Sequence, residues 1–230
     1  MRTVLTMFIF LALLFAGATY YFVTKNTSEL DTARNAATDL SFQVNALEAK
    51  RTALARELEI KIAAISQKKE EEIVRLKGTY ERLAADMKNE IEQGQIIITQ
   101  LADRLSVSMV DRILFPSGEA EITPEGVKVL ERVGNVLKNT SDQIIRVEGH
   151  TDNVPIHPRL QKQFPTNWEL STARAANVVR FLQEKVGIAP ERMQVIGMSE
   201  YRPVASNKTA SGRSKNRRIE ITLLPEQNGN

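Results

Sequence analysis

The run VLTMFIFLALLFAGATYYFV, from Val4 to Val23, contains no Asp, Glu, Lys, Arg or His. A helix of about 20 such residues is what a bilayer core requires. Tyr20 and Tyr21 stand just ahead of Lys25, where aromatic rings settle at a membrane interface. The run predicts one transmembrane anchor over residues 1–25. A cleaved signal peptide is the competing reading, because Ala16-Gly17-Ala18 has the small residues of a cleavage site. The apolar run continues past that point through Phe22 and Val23, which favours a retained anchor. Arg2 and the amino terminus favour a cytoplasmic N-terminal side, a bias reduced by Lys25 and Arg34 at the other end. With no ionisable side chain, the span has nothing with which to relay protons or ions.

Beyond Ser28 the composition changes to Ala, Glu, Lys, Leu and Arg, with no proline as far as Glu92. Apolar residues recur at threes and fours: Leu40, Val44, Leu47, then Leu54, Leu58, Ile62, Ile65, and later Ile73, Leu76, Tyr80, Leu83, Met87, Ile91. That period predicts a long helix of coiled-coil type over residues 28–93, associating with a second copy of the chain. Arg51 and Lys69 interrupt the seam, and the spacing Leu54, Leu58, Ile62 resembles a stutter. A lone charged helix, or a hairpin turning near Gly78, is the alternative. If continuous, the segment would reach on the order of 100 Å at 1.5 Å per residue.

Gly94 ends that pattern. QIIITQL and LSVSMV are short β-type segments, the second with Leu105, Val107 and Met109 on one face. Thr123-Pro124-Glu125 is a helix start, with Thr as N-cap and Pro at the first helical position. Val127, Leu130, Val133 and Leu137 then form a stripe, and IIRVEGH has the composition of a buried strand. A polar, proline-bearing loop follows from Thr151 to about Thr166. A second helix is predicted from Asn167 to Val186, with core positions Ala175, Val178, Leu182 and Val186 and Gly187 as C-terminal cap. RMQVIGMS and RRIEITLL supply two more strands. The order βαβαββ predicts an α+β domain over residues 96–224, with helices packed on a sheet and a disordered tail at 225–230.

Composition removes several function classes. The chain has no cysteine and only two histidines, His150 and His157. Disulfides, thiolate metal sites and a cysteine nucleophile are excluded, and a zinc site would need carboxylates to complete it. The segment GHTDNVPI, residues 149–156, places His, Thr and Asp in a row. Adjacent strand residues diverge, so Thr151 beside His150 does not make a nucleophile with its base. His150 is expected to be a packed or hydrogen-bonded structural residue. No metal, cofactor or catalytic residue is predicted.

A binding pocket remains. Asp152 sits just past a strand end, where loops commonly converge on ligands. In NWELSTARAANVV, residues Asn167, Ser171 and Arg174 fall at i, i+4 and i+7 on one face of the helix. A carboxylate on the loop and a guanidinium on the helix suit a ligand bearing both an ammonium and a carboxylate. A plain salt bridge between Asp152 and Arg174, tying loop to helix, is the alternative.

GHTDN, NWELSTARAANVVRFL and GRSKNRRIEI together resemble the OmpA-like C-terminal domain family in its MotB-type variant, over about Ser106 to Leu224. The resemblance implies helices packed on a mixed β-sheet, with noncovalent binding of peptidoglycan in the periplasm. It also implies that Asp152 and Arg174 hold the amine and carboxylate of a diaminopimelate residue, and that Asn167 and Arg217 join them. The segment between Asp152 and Asn167 is longer than the commoner family spacing, which leaves open whether loop residues such as Gln161 reach the ligand. MotB-type spans carry an acid for ion conduction, and this one has none. The expectation is therefore a non-catalytic protein of the inner membrane, N-terminus cytoplasmic and C-terminal domain periplasmic. It links membrane to wall and forms a homo-oligomer through the helical spacer. A stator-like or energy-transducing subunit using a partner's ion path is the alternative. The basic cluster Arg213, Lys215, Arg217 and Arg218 is assigned to glycan-peptide contact and solvated surface, with one arginine paired to the fold, and not to nucleic acid.

Overall fold

The computed structural model describes residues 2–101, 104–140 and 143–225, with side chains from Met7 onward. Two compact units divide between Gln67 and Lys68.

Helix α1 (Arg2–Asp86) contributes to both units. Its part up to Gln67 is exposed at every described side chain, and the apolar run from Met7 is long enough to cross a membrane. Two hydroxyls near the end of that run are satisfied within the helix. Thr19 donates to the Phe15 carbonyl at 2.9 Å and Thr24 to the Tyr20 carbonyl at 2.9 Å. That arrangement lets a hydroxyl sit in an apolar setting without an orphaned donor.

The second unit is an α+β domain. After α2 (Lys88–Glu92), β1 (Ile96–Leu101) and β2 (Arg104–Val110) come α3 (Asp111–Leu114), α4 (Pro124–Lys138) and β3 (Gln143–His150). Then follow α5 (Asn167–Phe181), β4 (Met193–Gly197), α6 (Ala210–Asn216) and β5 (Arg218–Pro225). The sheet order is β1-β2-β5-β3-β4; β3 and β4 run parallel and the other neighbours antiparallel. The expected alternation is present, QIIITQL forms β1 in front of it, and α6 is added before the last strand. Pro225 still belongs to β5, and the predicted tail at 226–230 lies outside the described residues.

Strand register builds the core in rows. Leu105 stands opposite Leu223 and Leu223 opposite Ile145; the next rows are Val107–Ile221–Val147 and Met109–Ile219–Gly149. All of these side chains except the glycine are at most 1% exposed. Because residues alternate across a strand, these rows form one sheet face. Val129, Leu130, Val133 and Leu137 of α4 and Ala175 and Val178 of α5 belong to the same buried cluster.

The caps at Thr123 and Gly187 follow the sequence signals, and Thr166 adds a third. The Thr123 hydroxyl accepts from Gly126 N at 3.0 Å, with Pro124 at the first helical position. Thr166 caps α5 by accepting from Trp168 N at 3.1 Å, and its own N–H donates to Glu169 at 2.8 Å. One reciprocal cap thus satisfies two otherwise orphaned donors. Past Phe181 the helix widens into a π turn, Leu182–Val186, and ends on Gly187 at φ 80.

The start of the domain differs from the expectation. Residue 96 is the expected start, yet the compact unit begins at Lys68, and α1 passes through Gly78 without turning. Leu76, Leu83 and Met87 are at most 1% exposed and join the core cluster with Leu105 and Val107. Arg132 of α4 adds a bond to the Asp86 carbonyl at 3.0 Å and an ion pair with Glu90. The same apolar spacing that suits a coiled coil here packs against the domain.

A fragment spanning 96–230 should therefore melt at lower temperature than one spanning 68–230, and should bind a hydrophobic dye. Removing core side chains of this size costs about 2–5 kcal/mol each. Equal denaturant midpoints for the two fragments would show that the last turns of α1 are dispensable.

Candidate functional site

Beyond the last core row the three central strands run on into charged residues at one end of the sheet. Val110 stands opposite Arg218, and Arg218 opposite His150. One step further along the strands lie Asp111, Arg217 and the turn entering Asp152. Asp111 N donates to the Arg217 carbonyl at 3.0 Å, which continues the pairing past the strand ends.

Helix α5 reaches this edge because the sheet lets it come close. A Cβ on Gly149 would lie 2.0 Å from the Ser171 carbonyl oxygen, and one on Gly197 would lie 2.0 Å from Thr172 Oγ1. The absence of both side chains lets the first half of α5 rest on β3 and β4. Ser171 then accepts from Ser199 N at 3.1 Å and fixes the turn after β4. Ser199 has φ 51, an uncommon left-handed conformation for a residue other than glycine.

Four residues singled out in the sequence come together here with two others. Asp152 is 5% exposed; its Oδ1 accepts from Val154 N at 3.0 Å and its Oδ2 accepts from Arg217 Nη1. Arg217 also brings Nε to 3.6 Å from Asp111 Oδ1. Asp111 Oδ2 in turn accepts from Arg174 Nη1 at 2.9 Å. Arg174 donates from Nε to the Glu119 carbonyl at 2.8 Å and lies over the Phe115 ring at 5.1 Å. Asn167 Nδ2 faces the carbonyls of Asp152 and Val154 at 3.3 and 3.2 Å and the Glu200 carboxylate at 2.8 Å.

The plain Asp152–Arg174 salt bridge, the alternative to a ligand pocket, is not formed among the described residues. Each has a nearer partner, and charges alternate along Asp152, Arg217, Asp111 and Arg174. Asp111 and Glu200 are the residues that sequence reasoning missed. Asp111 carried a usable signal, since it is an acid directly following the alternating strand LSVSMV. Its role emerges only from the register that brings it level with Arg217. Glu200 carried no such signal.

Burial pushes the Asp111 carboxyl above the usual carboxylate range, against the pull of the Arg174 and Arg217 guanidiniums. Burial likewise lowers Arg174, which Asp111 offsets in part. Of the two cations, Arg174 has a side chain only 3% exposed, while that of Arg217 is 37% exposed. Arg217 is the reachable one.

The remaining candidates fall elsewhere. His150 shares the Glu148 side of β3, away from the core rows, with Nε2 at 3.6 Å from Glu148 and 4.0 Å from Glu220. It is packed, and neither ring nitrogen has a hydrogen-bond partner among the described residues. Gln161 donates to the Ile156 carbonyl at 3.2 Å, inside its own loop. Ile156 and Phe164 of that loop pack with Ala120 and Leu170. Of the basic cluster, Arg218 is buried and paired with Glu220 at 3.3 Å, and Arg213 donates to the Asn207 carbonyl at 2.9 Å. Among the described residues, no three His, Asp or Glu side chains form a metal-holding group.

Residues 114–217 match the OmpA family, and that stretch contains every member of the site except Asp111. The solved cell wall anchor of the T6SS from Pseudomonas aeruginosa is 35% identical, with 63% of this chain covering 98% of that one at a TM-score of 0.57. The chain belongs to the OmpA family. Its domain is of the MotB-like kind. Motility protein B of Bacillus subtilis (strain 168) is 38% identical over 156 residues, which are 68% of this chain and 58% of that protein. A putative MotB like protein from Desulfovibrio vulgaris is 27% identical, covering 69% of this chain and 96% of that one at a TM-score of 0.62. The chain spans less than two thirds of the length of Motility protein B.

Within this OmpA-family domain, Asp111 makes a pH-dependent contribution whose sign can be stated. Its folded pKa lies above its unfolded value. The Asp111 contribution to stability is therefore fully present below the unfolded value and is lost as pH rises through the folded one. Asp111→Asn should remove that slope. In denaturant melts over a pH series, the stability difference between parent and variant should widen as pH falls through this window. Parallel profiles would show that Asp111 does not titrate there.

Proposed function

We propose that this protein ties a membrane to the cell wall, with the Asp152–Arg217–Asp111–Arg174 network binding peptidoglycan noncovalently. The observation that carries the reading is the alternation of two carboxylates and two guanidiniums at the mouth formed by the strand ends, with Arg217 half-open to solvent. A ligand bearing an ammonium and a carboxylate can exchange with such a network charge for charge. Diaminopimelate in a wall stem peptide has that chemistry, with Asp152 taking the ammonium and Arg174 the carboxylate. Arg217, released from Asp152, and Asn167 complete the set. The likeness to a cell wall anchor supports it.

The apolar run of α1 serves as a retained inner-membrane anchor, with the OmpA-like domain in the periplasm. The likeness to Motility protein B favours a second reading, an energy-transducing subunit. On that reading the ionisable path belongs to a partner, because Val4–Val23 has no charged side chain. The binding step has no catalytic group in it. The exposed stripe Leu40, Val44, Leu47, Leu54, Leu58 and Ile62 is assigned to a second copy of the chain, because an isolated helix in water gains little from propensity alone.

The full chain in detergent should co-sediment with purified diaminopimelate-containing peptidoglycan. Asp152→Ala and Arg217→Ala should each weaken this, since truncating one member of a buried charged contact costs about 2–5 kcal/mol. A wall with lysine in place of diaminopimelate keeps the amine and loses the carboxylate, so it should bind less well. Arg174→Ala should narrow that preference, and Asp152→Ala should not do so selectively. Folded variants that co-sediment like the parent would reduce the network to a structural tie.

The helical stripe has its own test. A peptide spanning 28–67 should gain helicity with concentration and sediment as an oligomer. A monomer at roughly tens of micromolar would remove the self-association.

A further inference from the structure

The chain has one tryptophan, and it is not in the core. Trp168, the second residue of α5, is 47% exposed, and Tyr201, in the turn after β4, is 65% exposed. Their rings stack on each other with centroids 5.4 Å apart and planes at 28°. The stack sits beside the site by construction. Asn167 precedes Trp168, Glu200 precedes Tyr201, and these two neighbours share a 2.8 Å hydrogen bond. The same Asn167 amide reaches the carbonyls of Asp152 and Val154, and Val154 is also 51% exposed.

Single exposed apolar side chains need no explanation. Three of them grouped around one buried amide, two as stacked aromatics, form a patch of the kind that marks a binding surface. Trp and Tyr offer large rigid faces with two torsions each, so little conformational freedom is lost when a ligand covers them. An aromatic face is electron-rich. A pyranose ring offers the matching surface, a face of C–H groups carrying slight positive charge, with hydroxyl and acetamido groups at its rim. The Glu200 carboxylate provides an acceptor beside the ledge. A purely apolar partner would have no use for a carboxylate there.

We propose that Trp168 and Tyr201, flanked by Val154, form a saccharide ledge that stacks an N-acetylated hexosamine ring of the wall glycan. The charge network beside it holds the stem peptide. This rests on the peptidoglycan reading above and extends it: one wall fragment is gripped at both its peptide and its sugar. The two parts are joined through Asn167, whose amide meets the Asp152 carbonyl on one side and Glu200 on the other.

The test uses the full chain in detergent and two probes, a free diaminopimelate tripeptide stem and the same stem joined to its disaccharide. Binding is followed by calorimetry and by the emission of Trp168, the sole indole. The disaccharide stem should bind about fivefold more tightly than the free stem, the range of an aromatic stacking contact. It alone should shift the emission. Trp168→Ala and Tyr201→Ala should bring the disaccharide stem down to the affinity of the free stem and leave the free stem unchanged. Trp168→Phe should restore most of the difference. Equal parent affinities for the two probes would overturn the ledge and leave the peptide site standing. So would alanine variants that lose both probes alike while Trp168→Phe recovers both alike, because the rings would then only support the fold. If the parent binds neither probe, the peptidoglycan reading falls and the ledge falls with it.

Discussion

The contact on which the rest of this domain depends is the approach of the α5 backbone to β3. Ser171 carbonyl oxygen lies where a Cβ of Gly149 would be, 2.0 Å from that position, and Gly197 stands in the same relation to Thr172. A helix held off a sheet by ordinary side chains keeps its polar groups on the far side. Here the two glycines lower the first turns onto the strands, so that Ser171 and Arg174 are buried while polar. Ser171 finds its partner in the turn after β4, and Arg174 finds its partner in Asp111. The glycine of GHTDN thus sets the height of the helix, and the height sets which charges meet.

Taking charges out of water is expensive, and buried pairs repay it only with good geometry and further hydrogen bonds. Arg174 meets both conditions, with a carboxylate, a carbonyl and the face of Phe115 around it. Asp111 meets them less well: its burial outweighs the pull of two guanidiniums and raises its pKa. On the function proposed above, the network serves specificity more than stability. An apolar replacement of similar volume would support the fold at least as well, but it could not discriminate between a zwitterionic ligand and a neutral one. Arg217 is the exposed member of the alternation, and Asp152, Asp111 and Arg174 are buried. Solvent reaches Arg217 first, so on the proposed reading exchange with a ligand would start there.

Legibility in the sequence followed the range of the information. Asn167 and Arg174 were readable as a pair because helical periodicity is local, and Thr123 and Gly187 announced their caps from within a few residues. Asp152 was readable as a residue past a strand end. Asp111 and Glu200 were not. Asp111 enters the site because β2 pairs with β5 and β5 with β3 in a register that aligns positions far apart in sequence. Glu200 enters because Asn167 happens to face the turn after β4. The alternative of a direct tie between Asp152 and Arg174 gives way for the same reason. Two charges on neighbouring elements attract each other, but the pairing is decided by third and fourth charges that only the sheet brings in.

The long helix shows the opposite limit, where a clear signal had two meanings. Leucines and isoleucines at threes and fours produce a helix with an apolar stripe, and the stripe does not say what covers it. From Leu40 to Ile65 the stripe is exposed along its whole length, whereas Leu76, Leu83 and Met87 have the same spacing and lie in the core of the domain. Nothing in the period distinguishes the two stretches. What differs is supply: β1, β2 and α4 follow within reach of the second stretch and provide an apolar cluster and the Arg132 contacts. The first stretch belongs to the other compact unit, and its side chains are exposed. One amphipathic pattern therefore ends as domain core where the chain itself offers a partner, and remains an open seam where it does not.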